Sequence, residues 1–272
     1  MKKIMLCAIL ALTSFAYAQA QFFGVDTEKL GNLISGLTRL PYDNAKMLVT
    51  QTFKALEGDA KGYRKAVEML DRLGDPTDSL HNEMLYVEGL KTVTNSFVLS
   101  NSEKERPKFL LEMAQKNAIG AAATDLNLVG ADGKAIQLLP GGDACTLVFF
   151  NDLNCDACTK TREALAASSV LSDFANQGLL RVVAVYTGNN EKAFKKTNYP
   201  AWVTSTWDKA QQIEKSDAYI LNSTPLFYLI NSDGKVLVKN EPSLSRIEKA
   251  LTKVMTSGDR NTFELVKKLF NN

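Results

Sequence analysis

The chain has 272 residues, with 32 lysines and arginines against 30 aspartates and glutamates, so its formal charge at pH 7 is +2. A chain with this near-neutral balance and without a basic tract lacks the electrostatic footprint of a nucleic-acid-binding protein. Its length allows one or two domains with a hydrophobic core, and such domains do not need the disulfide staples of small secreted scaffolds.

The first 20 residues have the parts of an export signal. Lys2-Lys3 supply positive charge, residues 4–12 form a short apolar core, and small residues suited to cleavage lie within 16–20. The core is too short to span a bilayer, and no later run reaches the ~20 apolar residues of a membrane helix. We predict a signal peptide over residues 1–20 and a mature chain without an integral membrane segment. We expect export to the periplasm, with the extracellular space as the alternative.

Residues 21–119 have the periodicity of helices. Apolar residues recur at intervals of three and four in three stretches: Leu30 to Leu37, Ala45 to Leu56 and Leu80 to Phe97. Asp75-Pro76 predicts the start of the third helix, since aspartate caps free backbone N–H groups and proline is tolerated at the first helical position. A further helix is predicted around Phe109 to Met113. We therefore predict an all-helical domain of roughly five helices over residues 21–119.

Residues 120–272 are predicted to form an α/β domain with a central mixed sheet flanked by helices and an extra N-terminal hairpin. Turn residues Gly130 to Gly133 and the pair Asp233-Gly234 each separate two apolar runs, as in β-hairpins. Continuous apolar runs are typical of central strands. The predicted order is hairpin 125–138, strand 145–150, helix 156–176, strand 179–186, helix 191–196, a mixed segment with Trp202 and Trp207, hairpin 226–238, helix 243–255 and a final helix over 262–270.

Cys155 and Cys158 lie between the end of a predicted strand and the start of a predicted helix. A thiolate attacks a disulfide far faster than a thiol does, and the N-terminus of a helix favours the anion. Cys158 lies one turn later on the same face of the helix. We therefore predict a redox-active disulfide in which Cys155 is the nucleophile and Cys158 the resolving thiol.

Asp156 bears on the direction of electron flow. Its carboxylate beside Cys155 opposes thiolate formation, and a dithiol with a less stabilised thiolate is the better reductant. This argument loses its force if Asp156 caps the helix and points away from Cys155. On balance the sequence favours a disulfide reductase.

Other interpretations of the motif are weaker. A structural disulfide closing so short a loop adds only about 2 kcal/mol, and a zinc site requires four ligands where only His81 and Cys145 remain. Two unrelated buried thiols are poorly placed at a strand-to-helix turn. We therefore predict no metal and no cofactor. Cys145, at the start of a buried strand, is expected to be an inert small apolar residue.

With these motifs assembled, residues 120 to about 257 resemble the thioredoxin superfamily, and within it the exported TlpA/ResA-like thiol–disulfide oxidoreductases. The resemblance rests on Thr146-Leu147-Val148-Phe149-Phe150-Asn151 leading into Cys155-Asp156-Ala157-Cys158, and on Ser223-Thr224-Pro225 followed by the apolar run Leu226 to Ile230 and by Asp233-Gly234. The helical domain is not covered by it.

The resemblance implies that Pro225 is cis and lies beside the cysteines, and that Thr224 offers its backbone to an extended client segment. Thr224 and Pro225 are therefore the expected substrate-binding residues. It also implies disulfide-containing client proteins and a separate redox partner. The chain departs from the family in three places: Asn154 replaces a common tryptophan, Phe149 replaces the buried acid, and the dipeptide Asp156-Ala157 between the cysteines lacks the common proline. Asp152 or Glu163 is the expected substitute for that acid.

Two other functions remain open. In the first, the thioredoxin-like part is a scaffold and the helical domain binds a partner protein. In the second, the protein reduces peroxides, although the threonine or arginine usually arranged around one peroxidatic cysteine is not evident in the sequence.

Overall fold

The computed structural model describes residues 32–257, with the exception of 34, 39 and 222. The predicted signal peptide and the predicted helix over 262–270 lie outside the described residues. The same holds for Leu30 and Ile34 of the first predicted apolar stripe, whereas Leu37 is described and buried.

The described chain divides into two compact units between Glu112 and Met113. The domain boundary predicted between residues 119 and 120 stays a prediction. The first unit is helical, as predicted. It contains α1 (Tyr42–Ala55), α2 (Ala60–Gly74), α3 (Glu83–Thr94) and most of α4 (Asn101–Gln115).

The helical unit is held together by apolar faces that follow the helical repeat. α1 and α2 both pack against α3, and the rings of Phe53 and Tyr63 meet edge to face at 5.2 Å between centroids. Each of two helices begins at a polar side chain. Asp59 accepts a hydrogen bond from the Gly62 amide at 3.0 Å, and Asn82 accepts one from the Leu85 amide at 3.1 Å. These side chains satisfy backbone donors that have no partner within the helix.

Two details of the predicted helices are wrong. Asp75 follows the end of α2 and accepts a hydrogen bond from the Thr77 amide at 2.8 Å, so it closes a turn rather than starting α3. Because α3 ends at Thr94, Phe97 lies beyond the helix and is 76% exposed instead of extending the core stripe.

The second unit is an α/β structure. Its elements in chain order are β1 (Asn127–Gly130), β2 (Ala135–Gln137), β3 (Cys145–Asn151), α5 (Asp156–Ala166), α6 (Ser169–Asn176), β4 (Leu180–Tyr186), α7 (Glu191–Lys196), β5 (Val203–Trp207), α8 (Gln212–Lys215), β6 (Leu226–Ile230), β7 (Val236–Glu241) and α9 (Leu244–Thr256).

The strands form one mixed sheet in the order β2-β1-β5-β4-β3-β6-β7. β3, β4 and β5 are parallel, whereas the pairs β1–β2, β1–β5, β3–β6 and β6–β7 are antiparallel. All seven residues of β3 are buried, which explains its uninterrupted apolar sequence. Both predicted hairpins and the central position of β3 are confirmed.

The helices of this unit differ from the prediction in two places. α8 lies in the mixed segment, for which no helix was predicted. The helix predicted over residues 156–176 is two helices, because Ser168 interrupts it and accepts a hydrogen bond from the Leu171 amide at 3.1 Å to start α6. α9 packs on β6 and β7 and against α5 and α6. The predicted fold class, a central mixed sheet flanked by helices with an N-terminal hairpin and preceded by a helical domain, is confirmed.

Candidate active site

The turn between β3 and α5 places the first cysteine at the start of a helix. Asp152 accepts a hydrogen bond from the Asn154 amide at 2.9 Å, which holds the turn. Cys155 is the residue that caps α5, and its Sγ accepts a hydrogen bond from the Cys158 amide at 3.1 Å. The sulfur therefore lies where unpaired helix N–H groups favour a negative charge. Asp156 does not occupy the capping position, and its side chain is exposed in the first turn.

The segment before β6 reaches the same place from a distant part of the chain. β3 and β6 are hydrogen-bonded neighbours, so the residues before β6 lie next to those after β3. The thiol of Cys155 donates to the Thr224 carbonyl oxygen at 3.6 Å. The Thr224–Pro225 peptide bond is cis, as the resemblance implies.

The two cysteines differ in their environment. Cys155 is partly exposed, whereas Cys158 is completely buried, with 0% of its surface accessible. Burial raises the pKa of the Cys158 thiol to about 11, and its hydrogen bond with Cys155 acts in the same direction. Hydrogen bonds with the Thr224 side chain and the Asp152 amide lower this pKa in part. This arrangement presents one sulfur to an external molecule and keeps the other as a protonated thiol behind it.

The carboxylates expected to replace the family's buried acid lie elsewhere. The side chain of Asp152 accepts from Asn154, and its contact with Cys158 is a backbone one, in which the Asp152 amide donates to Cys158 Sγ at 3.5 Å. Glu163 is exposed. Phe149, at the position of the acid, is fully buried and stacks on Phe227 at 4.9 Å between ring centroids.

A polar cluster that the sequence analysis missed lies near Cys158. Asn151 donates through Nδ2 to the carbonyl oxygens of Val185 at 3.0 Å and Phe149 at 3.3 Å. Its Oδ1 accepts a hydrogen bond from the Tyr199 hydroxyl at 3.3 Å. Arg162 also lies close to Tyr199. Its position four residues after Cys158 is a signal in the sequence that the two side chains are neighbours on a helix. Tyr199 is brought in by the loop before β5 and had no local signal.

The pKa of Tyr199 shows which groups surround its hydroxyl. Burial raises this pKa to about 12, and the positive charge of Arg162 and a hydrogen bond with its side chain lower it in part. The hydrogen bond to Asn151 also lowers it, whereas Cys158 raises it. Tyr199 therefore lies within electrostatic reach of both Arg162 and Cys158.

An open cleft of about 460 Å³ adjoins this site. Thr224 lines one end of it, and Ile220 and Leu221 contribute apolar surface. Asp208 and Glu214 contribute acidic side chains. Beside Cys155, the cleft offers room for a segment of another molecule.

The two tryptophans, the third cysteine and the histidine mentioned in the sequence analysis lie in positions that suit packing or turns. Trp207 packs between Tyr186 and Phe194 and donates from Nε1 to the Gly188 carbonyl oxygen at 2.7 Å, whereas Trp202 is only partly buried. Cys145 is buried at the start of β3. His81 lies in the turn before α3, not within the helix. Within residues 32–257 as described, no cluster of three or more histidine, cysteine or acidic side chains is arranged to hold a metal ion.

Comparison with known proteins supports the fold. A family model described as a domain of unknown function (DUF5106) matches residues 23–117. No curated protein matches the chain. Among solved structures, a thioredoxin-like protein from Bacteroides caccae is 28% identical, with a TM-score of 0.78 over 83% of this chain and 82% of that one.

Two further structures match about half of the chain. The C-terminal domain of an uncharacterized protein from Bacteroides fragilis is 28% identical, with a TM-score of 0.48 over 50% of this chain and 99% of that one. The thioredoxin domain of a thiol-disulfide oxidoreductase from Bacteroides vulgatus is 19% identical, with a TM-score of 0.41 over 48% of this chain and 96% of that one.

The second unit is thus a thioredoxin-like domain, and the resemblance to the thioredoxin superfamily is confirmed. It follows a helical domain that matches a family of unassigned function. In the part of the chain that the structure describes, we find no helix with the length and apolar character needed to cross a membrane.

Proposed function

We propose that this protein is an exported thiol–disulfide oxidoreductase that reduces disulfides in client proteins. One observation carries the proposal. The Cys155 sulfur caps α5, is partly exposed and contacts the Thr224 carbonyl, while the buried Cys158 follows one turn later. An accessible sulfur at a helix N-terminus with a second sulfur behind it is what stepwise thiol–disulfide exchange requires.

The exchange proceeds in two balanced steps. The Cys155 thiolate attacks one sulfur of the client disulfide, forms a mixed disulfide and releases the other client sulfur, which takes up a proton. Cys158 then loses its proton and attacks Cys155 Sγ, which breaks the mixed disulfide and releases the second client thiol. The client gains two electrons and the protein ends as a Cys155–Cys158 disulfide. A second dithiol, from a redox partner, must reduce it again.

Thr224 and Pro225 are the proposed client-binding residues. The Thr224 carbonyl already contacts Cys155 Sγ, so a client backbone lying along residues 223–225 brings its disulfide to that sulfur. Extended segments are held in this way by backbone hydrogen bonds. The adjoining cleft, with Ile220 and Leu221 on its wall, has room for the neighbouring client side chains.

The proposed direction is reduction of the client. A dithiol is a strong oxidant when its reduced form is stabilised, as by a stabilised thiolate. Here burial raises the pKa of Cys158, and Asp156 adds a negative charge next to Cys155. Burial disfavours the Cys158 thiolate, and a dithiol with a less stabilised thiolate is the better electron donor.

The proposed location is outside the cytoplasm. Lys2-Lys3 and the short apolar core that follows them have the composition of a secretory signal. The periplasm is the proposed compartment, with the extracellular space as the alternative. Disulfide-containing clients occur in such oxidising compartments.

The proposal is tested by reduction of a model protein disulfide and by trapping. We expect the purified protein to reduce insulin with a dithiol as electron source, and Cys155→Ser to abolish this activity. Cys158→Ser should accumulate a mixed disulfide on Cys155, because the resolving thiol is missing. Cys145→Ala, which removes the buried third cysteine without adding a polar group, is the control and should behave as wild type. Failure of the wild type to reduce the substrate, together with no trapped species, would refute the proposal.

A further inference from the structure

Resolution of a mixed disulfide requires a negative charge on a buried sulfur. Cys158 is 0% exposed, and its described hydrogen-bond donors are the Thr224 side chain and the Asp152 amide. Both donors are neutral, so neither offsets a full charge. A buried anion is costly without a compensating positive charge. Asp152 and Glu163, the acids expected near this thiol, are neutral or negative and cannot supply that charge.

Arg162 brings a positive charge to the same side of α5. It lies four residues after Cys158, and side chains at this spacing are neighbours on a helix, with about 6 Å between their β-carbons. Both Arg162 and Cys158 act on the Tyr199 hydroxyl, which places the three groups in one cluster.

The guanidinium of Arg162 is held at one end by a hydrogen bond, and its other nitrogen is buried beside Tyr199. Its Nη2 donates to Thr159 Oγ1 at 3.1 Å, and that hydroxyl donates to the Cys155 carbonyl oxygen at 3.3 Å. Its Nη1 is buried and has no partner with full hydrogen-bond geometry, although the guanidinium lies within hydrogen-bond reach of the Tyr199 hydroxyl. A buried donor without a partner is costly, and native structures retain few of them. An anion that forms only during the reaction supplies such a partner.

Tyr199 completes the arrangement. Both Nδ2 hydrogens of Asn151 are used by backbone carbonyls, so its Oδ1 must accept and the Tyr199 hydroxyl must donate. Tyr199 is thereby fixed beside Arg162 and Cys158 in its neutral form. It limits the space into which the guanidinium can turn.

We propose that Arg162 stabilises the Cys158 thiolate while Cys158 attacks the mixed disulfide, with Tyr199 as the residue that positions it. This inference rests on the proposed thiol–disulfide exchange. In this proposal the positive charge of Arg162, rather than a buried acid, assists the reaction of Cys158. The proton of Cys158 leaves to solvent, and the positive charge holds the anion until the new sulfur–sulfur bond forms and the client thiolate departs.

The test follows the two steps separately in the full-length protein. Dithiodipyridine is an uncharged disulfide that releases one coloured thione when Cys155 attacks it and a second when Cys158 resolves the mixed disulfide. We expect Arg162→Met, which keeps much of the side-chain volume and removes the charge, to slow the second release about tenfold at fixed pH. The first release should change by less than about twofold.

Three variants separate charge from structure. Arg162→Lys should restore most of the second rate, because the charge is kept. Lys160→Met is the matched control, since it removes one positive charge from an exposed position of α5, and it should leave both rates unchanged. Tyr199→Phe should slow the second release by a smaller factor than Arg162→Met. It also provides an independent test if Arg162→Met does not fold.

The outcomes distinguish this inference from the proposed function. Equal second-release rates in wild type and Arg162→Met, or equal slowing by Lys160→Met, would overturn the role of Arg162 and leave the exchange reaction standing. Two normal release phases without reduction of any protein disulfide would instead refute the proposed function.

Discussion

Two sulfurs separated by two residues occupy different environments because one precedes the helix and the other lies in its first turn. Cys155 caps α5 and faces outward in part, whereas Cys158 points into the unit and is fully buried. Burial disfavours the charged form of a thiol, so it acts more strongly on Cys158. This difference supports the proposed order of the two chemical steps.

The pKa of Cys158 predicts how resolution depends on pH. Because burial raises this pKa to about 11, the thiolate fraction of Cys158 rises about tenfold per pH unit at neutral and mildly alkaline pH. We expect the rate of the second thione release to rise about tenfold per pH unit between about pH 7 and pH 9. Stopped-flow absorbance measures this rate. A rate independent of pH in that window would show that Cys158 is already ionised.

Glu241 gives a second pH prediction. Burial raises its pKa, although Arg246, 3.4 Å from its carboxylate, offsets part of the effect. An acid with a raised pKa in the folded state favours folding most below its unfolded value of about 4.3, and this contribution is lost as pH rises through the folded pKa. We therefore expect Glu241→Gln to increase the free energy of unfolding at pH 7.

The difference between Glu241→Gln and wild type should disappear below about pH 3, where the glutamate is neutral in both the folded and the unfolded state. The glutamine oxygen can still accept the hydrogen bond that Glu241 accepts from the Ser243 amide. Denaturant unfolding at the two pH values measures the effect. A variant less stable than wild type at pH 7 would show that the ion pair with Arg246 outweighs burial.

At the scale of elements, local signals predicted most of the α/β unit. The turn residues Gly133 and Gly234 have φ of +82° and +75°, the region that glycine adopts most readily, and each lies in a predicted hairpin turn. The apolar run of β3 predicted a strand covered on both faces, and all its residues are buried. These features are determined by residues close together in the sequence, so the sequence alone is enough to predict them.

The helix ends that were predicted wrongly are those where more than one residue could cap a helix. Asp75 and Asn82 are both good helix-capping residues, and only packing decides that Asn82 starts α3. Ser168 stopped a helix that the apolar pattern alone continued to residue 176. The Tyr199–Arg162 cluster was missed for another reason. It joins a loop and a helix that are far apart in the sequence, and no periodicity of the sequence reports such a contact.

Helix packing in the first unit is testable at Gly89. A β-carbon at this position of α3 would collide with Leu70 Cδ2 on α2. Overpacking costs ~1–3 kcal/mol, of which the better helix propensity of alanine returns ~1 kcal/mol. We expect Gly89→Ala to lower the free energy of unfolding by about 1 kcal/mol, measured by denaturant unfolding. Gly58→Ala, where no atom lies within 4 Å of the added carbon, is the control and should not destabilise. A Gly89→Ala variant more stable than wild type would contradict this, since it would mean that the Leu70 side chain moves aside without cost.

At the scale of the whole molecule, a thioredoxin-like domain follows a helical domain that matches DUF5106 over residues 23–117. The chemistry described above uses only residues of the second unit. If the protein is an oxidoreductase, its action in cells depends on Cys155. If it is a scaffold, its action depends on the helical domain and not on the sulfur.

Two variants in cells separate these alternatives. In cells that lack the protein, we expect the full-length chain with Cys155→Ala to leave envelope disulfides unreduced, as measured by alkylation of cysteines in exported proteins. The same chain with Cys145→Ala should restore them to the wild-type state. Full activity of Cys155→Ala, combined with loss of activity on deletion of residues 21–119, would favour the scaffold.

The most direct measurement is a redox titration of the full-length protein. The protein is equilibrated with a series of thiol–disulfide buffers, and Cys155 and Cys158 are then alkylated and identified by mass spectrometry. We expect both sulfurs to change from alkylated thiols to one disulfide in a single two-electron transition, with a midpoint near −270 mV, about that of thioredoxin. The account would be contradicted if both remained thiols in the most oxidising buffer. A midpoint near about −120 mV would contradict the reducing direction.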